Sequence, residues 1–361
     1  MISNSLYKKV SLVCLMLFVS FIAAFASIAP KSEEAKKPFD AREFIFGHVS
    51  DSYSWHITSI GHKHINIPLP IIVKSQNGSW HVFMSSKLNE GAEHKGFILG
   101  ENGKVMEKLA NGTSVRPFDI SITKDVLSIL IAATLLLLIF LTMARMYKRD
   151  AMYVPKGFRG MMEVVVLFVL NEVIKPSIGK DYARYAPYLL TLFFFILVNN
   201  IMGIIPIFPG GANVTGNIAV TFVLALFTFL AVNLFASREY WREIFWGDVP
   251  VWLKAFPLIP LLEFIGIFTK PIALMIRLFA NILAGHIISL VLMSLIFIFG
   301  AMSVSIGTGV SVVSVLFSVV MFLLEILVVF IQAFVFTMLS SVFIGLSRVE
   351  PHHVHAHEEK H

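Results

Sequence analysis

Residues 275–287 read MIRLFANILAGHI. They lie inside a nearly unbroken apolar stretch of 44 residues, Phe256 to Phe299, yet they hold an arginine, an asparagine and a histidine. As a single helix the stretch would measure roughly 66 Å, about twice the hydrocarbon core of a bilayer. It must lie steeply tilted or fold back on itself. Arg277 falls near its middle, where an unpaired charge costs about 2.5–3.5 kcal/mol on insertion scales. Some partner has to offset that cost.

Composition gives the setting. Of 361 residues, 57% are hydrophobic and 14% charged, and the mean hydropathy is +0.78, the balance of an integral membrane protein. A net charge of +6 reflects Lys and Arg in cytoplasmic loops and gives no reason to invoke nucleic acid. One cysteine, Cys14, excludes a disulfide framework and a CxxC redox site. Lys8 and Lys9, an apolar run from Val10 to about Phe25, and Ala24-Phe25-Ala26 mark residues 1–26 as a secretory signal peptide, with an uncleaved signal anchor as the alternative. Either one delivers the chain beyond residue 26 to the outside.

Residues 27–120 are polar and form a small extracytoplasmic domain with some β-strand. Within it IPLPIIVKSQNGSWHVFMSSKL (67–88) sets two β-prone runs about Asn77-Gly78, a hairpin signal. Of its histidines His48, His56, His62, His64, His81 and His94, only His62 and His64 are close in sequence, and neither has a Cys or HxxxH companion. They read as surface or hydrogen-bonded side chains, with no metal and no cofactor expected.

The membrane domain occupies 121–347. A span over 125–147 is followed by Arg145, Lys148, Arg149, Lys156 and Arg159, which puts its far end in the cytoplasm. Residues 158–178, with Glu163, Glu172 and Lys175 among apolar positions, suit an interfacial amphipathic helix. Spans at 185–207 and 217–236 flank a breaker-rich loop, Pro206 to Gly211. The two long stretches, 256–299 and 310–346, complete an all-α membrane protein of about five crossings, its C-terminal helices tilted or hairpinned. The His-rich tail, 348–361, is cytoplasmic and solvated. The localisation expected is a multi-pass protein of the cell inner membrane with its N-terminal domain in the periplasm.

On a helix, positions seven apart share a face, so Glu263, Lys270 and Arg277 align, with Asn281 within about 40°. Gly266, Ala273, Ala280 and Ala284 lie on the same stripe, and small residues let another helix approach closely. Glu263 is roughly 21 Å along the axis from Arg277, and no carboxylate sits three or four residues from the arginine. Its partner belongs to another helix or another subunit. His286 points about 180° away from it. The last stretch adds Glu325 and Gln332, again on one face. A His and a Glu on adjacent antiparallel helices make a proton relay, because imidazole titrates near neutrality. These residues alone indicate an ion pathway. A secondary antiporter is the other class they allow, but no internal repeat is visible. There is no GxxxxGK[ST] phosphate loop, and the chain does not read as an enzyme.

From about Val154 to Leu346 the sequence resembles subunit a of the F-type ATP synthases. FTKPIALMIRLFANILAGH (268–286) and EILVVFIQAFVFTMLSSVFIG (325–345) carry most of the likeness; VPKGFRGMMEVVVLFV (154–169), NNIMGIIP (199–206) and NVTGNIAVT (213–221) add to it. The resemblance implies a membrane stator beside a ring of c subunits, two proton half-channels, and contacts with b-type peripheral stalk subunits and lipid. It carries the essential stator arginine onto Arg277 and its companion asparagine onto Asn281. Glu263, His286, Glu325 and Gln332 match positions that line the access paths or support the arginine. Many bacterial members have an acid where His286 stands and a histidine where Glu325 stands, so the pair is exchanged here. Met275 departs from the usual small residue. Residues 27–120 have no counterpart in the common bacterial form.

Overall fold

The computed structural model describes residues 41–60, 63–100, 102–109, 112–150, 152, 154–205, 208–246 and 258–348. The proposed signal segment, 1–26, lies outside them, as does the His-rich part of the tail, 352–361. The chain opens with helix α1 (Ala41–Val49), then the strands β1 (Ser54–Ile60), β2 (Lys63–Pro68), β3 (Pro70–Lys74), β4 (Trp80–Met84), β5 (Phe97–Leu99), β6 (Val105–Lys108), β7 (Ser114–Val115) and β8 (Phe118–Asp119). They form small antiparallel sheets ordered β1-β2, β4-β3-β8 and β5-β6-β7.

The expected hairpin about Asn77-Gly78 is the β3–β4 pair, with Lys74 opposite Trp80 and Pro70 opposite Met84. Gly78 takes a φ of 82°, which an L side chain resists. Alternation along these strands buries Ile71, Val73 and Phe83 in one cluster with Tyr53, Leu88, Phe97 and Val105, and leaves Trp80, Val82, Met84 and Phe118 exposed on the other face. Buried Tyr53 donates its hydroxyl to Asp119. Burial, then the Asp119 hydrogen bond and charge, raise this phenol well above its ordinary value of 10.0. With the folded value above the unfolded one, its contribution to stability is complete below about pH 10 and is lost as the pH climbs further. Tyr53→Phe is expected to weaken the β3–β8 join by about 1–3 kcal/mol and to remove that alkaline sensitivity, measured by amide hydrogen exchange in β3 and β8. Unchanged exchange across the pH range would contradict it.

Beyond the strands come the helices α2 (Lys124–Arg149), α3 (Phe158–Phe168), α4 (Tyr182–Ile204), α5 (Ile218–Leu234), α6 (Arg238–Trp246), and the long pair α7 (Leu258–Met302) and α8 (Val304–Leu346). Helix α3 runs on through a π-helical turn, Val169–Ile174, to Ile178, and stops at Gly179, φ 74°. That break separates the expected interfacial helix, with Met161, Val164 and Leu167 exposed along it, from the span in α4. Among the described residues four stretches are long and apolar enough to cross a membrane: Lys124–Arg149, Phe158–Ile204, Leu261–Met302 and Gly307–Leu346. The remaining expected span is shorter than anticipated. Helix α5 has 17 residues, roughly 26 Å, the low end of what suffices.

Helices α7 and α8 contain 45 and 43 residues, roughly 68 and 65 Å. Each is unbroken, even across Pro271, so neither stretch folds back on itself. They pack against each other as an antiparallel pair turning at Ser303. The core they share with α4 takes Leu274, Leu278 and Ile282 from α7, Val329, Ala333, Phe336 and Ile344 from α8, and Leu189, Phe193 and Ile196 from α4. Spacings of three, four and eight put each set on one helical face. In lipid such contacts stabilise through close packing more than through escape from water. At Gly345 a Cβ would stand 2.0 Å from the Ser177 carbonyl oxygen; glycine alone allows that approach. Arg348 closes the same end by pairing with Asp181 and donating to the Phe235 carbonyl at 3.2 Å.

Candidate functional site

Among the described residues, two pairs of the expected site residues meet across the α7–α8 seam. Asn281 Nδ2 donates to Gln332 Oε1 at 2.8 Å, and His286 Nδ1 lies 3.5 Å from Glu325 Oε1. The pairings follow from antiparallel register, since residues advance along α7 as they retreat along α8. Glu325 and Gln332 share a face, as their spacing requires, and each answers a different residue of the opposite helix. The His286 and Glu325 side chains retain only 18% and 10% of their accessible surface, so the pair is largely removed from solvent. An imidazole and a carboxylate at this separation can hold and pass a proton between them.

Two glycines make room for the pair. A Cβ on Gly285 would lie 3.6 Å from Glu325 Oε1, and one on Gly203 of α4 would lie 3.5 Å from His286 Nε2 and 3.1 Å from the Ala212 carbonyl oxygen. Any longer side chain at 203 would occupy the space of the ring. The second nitrogen of His286 therefore faces Gly203 in the last turn of α4.

Arg277 is exposed, as are Ala273, Ala280, Asn281 and Ala284. No described helix of this chain covers the small-residue face. Among the described residues Arg277 takes part in no ion pair. Lys270, on the same stripe, reaches the Phe343 ring at 6.0 Å. Glu263 joins neither bridge. It sits near Tyr240 of α6, whose hydroxyl is pushed up by burial and then by the Glu263 charge.

A further group of polar side chains was not singled out from sequence. Between α4 and α5, Thr215 donates its hydroxyl to Asn200, Asn213 Oδ1 accepts from the Gly216 amide at 3.2 Å, and Asn217 Nδ2 donates to Asp125 Oδ2 at 2.9 Å. All of Asn199, Asn200, Asn213, Thr215, Asp125 and Ser128 are buried. Yet Asn199 Oδ1, Asn200 Nδ2, Asn213 Nδ2, Asp125 Oδ1 and Ser128 Oγ have no partner among the described residues. Leaving one such atom dry costs about 1–3 kcal/mol; water bridging several of them removes that cost. Residues 212–217 thus carry polar atoms from beside His286 to the first turn of α2. The available signal in the sequence was the Asn199-Asn200 pair inside an apolar span, together with Asp125 opening another.

Known proteins resemble the chain over two separate regions. The family model described as ATP synthase A chain matches residues 126–345, and one described as a domain of unknown function, DUF8433, matches residues 44–122. Among curated proteins, ATP synthase subunit a of Chloroherpeton thalassium is 43% identical over 254 residues, covering 68% of this chain and 72% of that protein. Subunit a of Chlorobium phaeobacteroides strain DSM 266 is 43% identical over 243 residues, covering 65% and 68%. That of Myxococcus xanthus is 41% identical over 271 residues, covering 73% and 83%. The first match runs from α2 into α8 and includes both bridges across the long pair and the uncovered face around Arg277, and with the relatives it places this multi-pass membrane protein in the ATP synthase A chain family.

Proposed function

We propose that within the ATP synthase this chain provides two proton half-channels and the cation that couples proton flow to rotation of a neighbouring ring of proteolipid subunits, and that it performs no covalent chemistry itself. The observation that carries this reading is Arg277: exposed, in no ion pair among the described residues, on a face whose small residues admit another helix closely. A mid-membrane carboxyl on the ring is neutral against lipid and ionises opposite a guanidinium. Arginine suits the task because it stays charged whatever its surroundings. His286 and Glu325 serve the path from the N-terminal-domain side, Asn281 and Gln332 hold the helix pair in register beside the arginine, and Glu263 serves the opposite side. The cluster Arg145, Lys148, Arg149, Lys156 and Arg159 favours that opposite side as the cytoplasm, which makes the N-terminal domain periplasmic. A b-type stalk would hold the subunit against the torque of the ring.

The contact is testable directly. A photo-crosslinking residue at Ala280 or Ala284 in the assembled complex is expected to capture the small two-helix proteolipid, whereas one at lipid-exposed Leu137 of α2 is not. Capture at 137 with none at 280 or 284 would put the ring on another face and remove Arg277 from the coupling step.

A further inference from the structure

The matched domain of unknown function meets the membrane part at residues 48–52, beside the packing of Trp55 against Ala212, Val214 and Phe208. The Lys124 ammonium, though buried, donates to the carbonyls of His48 and Ser50 at 3.2 Å each, and the Lys124 amide donates to Ser52 O at 2.9 Å. The Asp125 amide donates to Asp51 Oδ1 at 3.1 Å. On the membrane side, Asn217 caps α5 by accepting from the Ala219 amide through Oδ1, which commits its Nδ2 to Asp125 Oδ2. One carboxylate oxygen of Asp125, which is only 4% exposed, is left without a partner among the described residues. Ser128, wholly buried one turn further into α2, also has an unpartnered hydroxyl. The charged groups facing Asp125 are Asp51, Lys124 and Lys104, and Lys104, on the β5–β6 connection, also belongs to the N-terminal domain.

Resting on the functional reading above, we propose that Asp51 and Asp125 form the proton-intake site of the periplasmic half-channel, so that the N-terminal domain supplies part of the pathway instead of merely decorating it. A proton delivered by hydronium would bind the open oxygen of Asp125, releasing water. It would then leave to a water that accepts from one of the unpartnered amides of Asn213 and Asn200 and keeps its second lone pair open for the proton, and that water would pass one of its own protons on towards His286 Nε2 beside Gly203. Lys124, immobilised by two backbone carbonyls, holds the carboxylates at the mouth. Asp51 faces the periplasm, and Asp125 the interior.

The test uses the whole synthase in liposomes, in a Cys14→Ser background, with Asp51→Cys. A positively charged, membrane-impermeant methanethiosulfonate reagent applied from the N-terminal-domain side is expected to lower passive proton flux, after removal of the catalytic head, roughly five-fold or more in the same sample, with recovery on reduction. Full labelling without loss of flux would overturn the proposal, and so would absence of labelling. Asp125→Asn, which keeps the bond from Asn217, is expected to reduce flux roughly ten-fold; unchanged flux at normal assembly also overturns it. Should Asp125→Asn fail to assemble, the labelling result decides alone. Arg277→Ala in parallel separates the two claims: pumping retained there defeats the functional reading, whereas pumping lost there with Asp51 indifferent to labelling defeats only the intake site.

Discussion

Arg277→Ala is expected to abolish ATP-driven proton pumping, by a factor of about one hundred or more, while the complex still assembles. The two halves of that result have separate physical origins. Assembly survives because the arginine contributes nothing to the internal packing of the chain: the buried face of α7 is Leu274, Leu278 and Ile282, and Arg277 lies on the exposed side. Removing a charge that costs about 2.5–3.5 kcal/mol to keep in apolar surroundings is not destabilising in itself. On the proposed function, pumping fails because nothing then forces a passing carboxyl to give up its proton, or keeps the two half-channels from joining. Arg277→Lys is expected to recover little, since an ammonium lacks the planar fork and gives up its charge more readily when desolvated. Acidification of inverted vesicles, followed with a pH-sensitive dye, makes the measurement. Normal acidification by the alanine variant would end the assignment.

The second large effect concerns the bridge between α7 and α8. His286→Glu and Glu325→His each leave two groups of one kind at the seam, and each is expected to reduce passive proton flux about ten-fold or more. Combining them restores one acid and one imidazole in the opposite order. Flux in the double variant is then expected to return to within about three-fold of the parent, because residues in direct contact do not act additively. The recovery is incomplete because Gly203 and Gly285 are fitted to the present order, one beside the ring and the other beside the carboxylate. A double variant no better than the worse single would mean that the two residues act independently, whatever their 3.5 Å separation.

Much of this architecture was legible in the residues. Apolar length located the two long helices, the Asn77-Gly78 signal located the β3–β4 hairpin, and seven-residue spacing put Glu263, Lys270 and Arg277 on one stripe. What spacing could not supply was register between elements. Asn281–Gln332 and His286–Glu325 become pairs only once two helices of more than forty residues are set against each other, and a shift of one turn would have produced other partners. Length alone also left open whether the 256–299 stretch tilts or doubles back. Asp125 was hidden for a different reason. An acid in the first turn of a helix is the commonest of dipole-friendly placements, and only its burial, its bond from Asn217 and its open oxygen set it apart. Strands of two to four residues such as β5 to β8 leave too short a pattern to read.

Between Ala273 and Ala284 the open face of α7 is built largely of alanines, and the one charge standing above them is the positive one of Arg277, with Asn281 beside it. A neighbour sliding across it meets nothing to mesh with. Its halting points are then chosen by a long-range attraction, as with a compass needle passing a magnet, and not by teeth. On the proposed function, such a track makes no demand on the pitch or subunit count of the ring that turns against it.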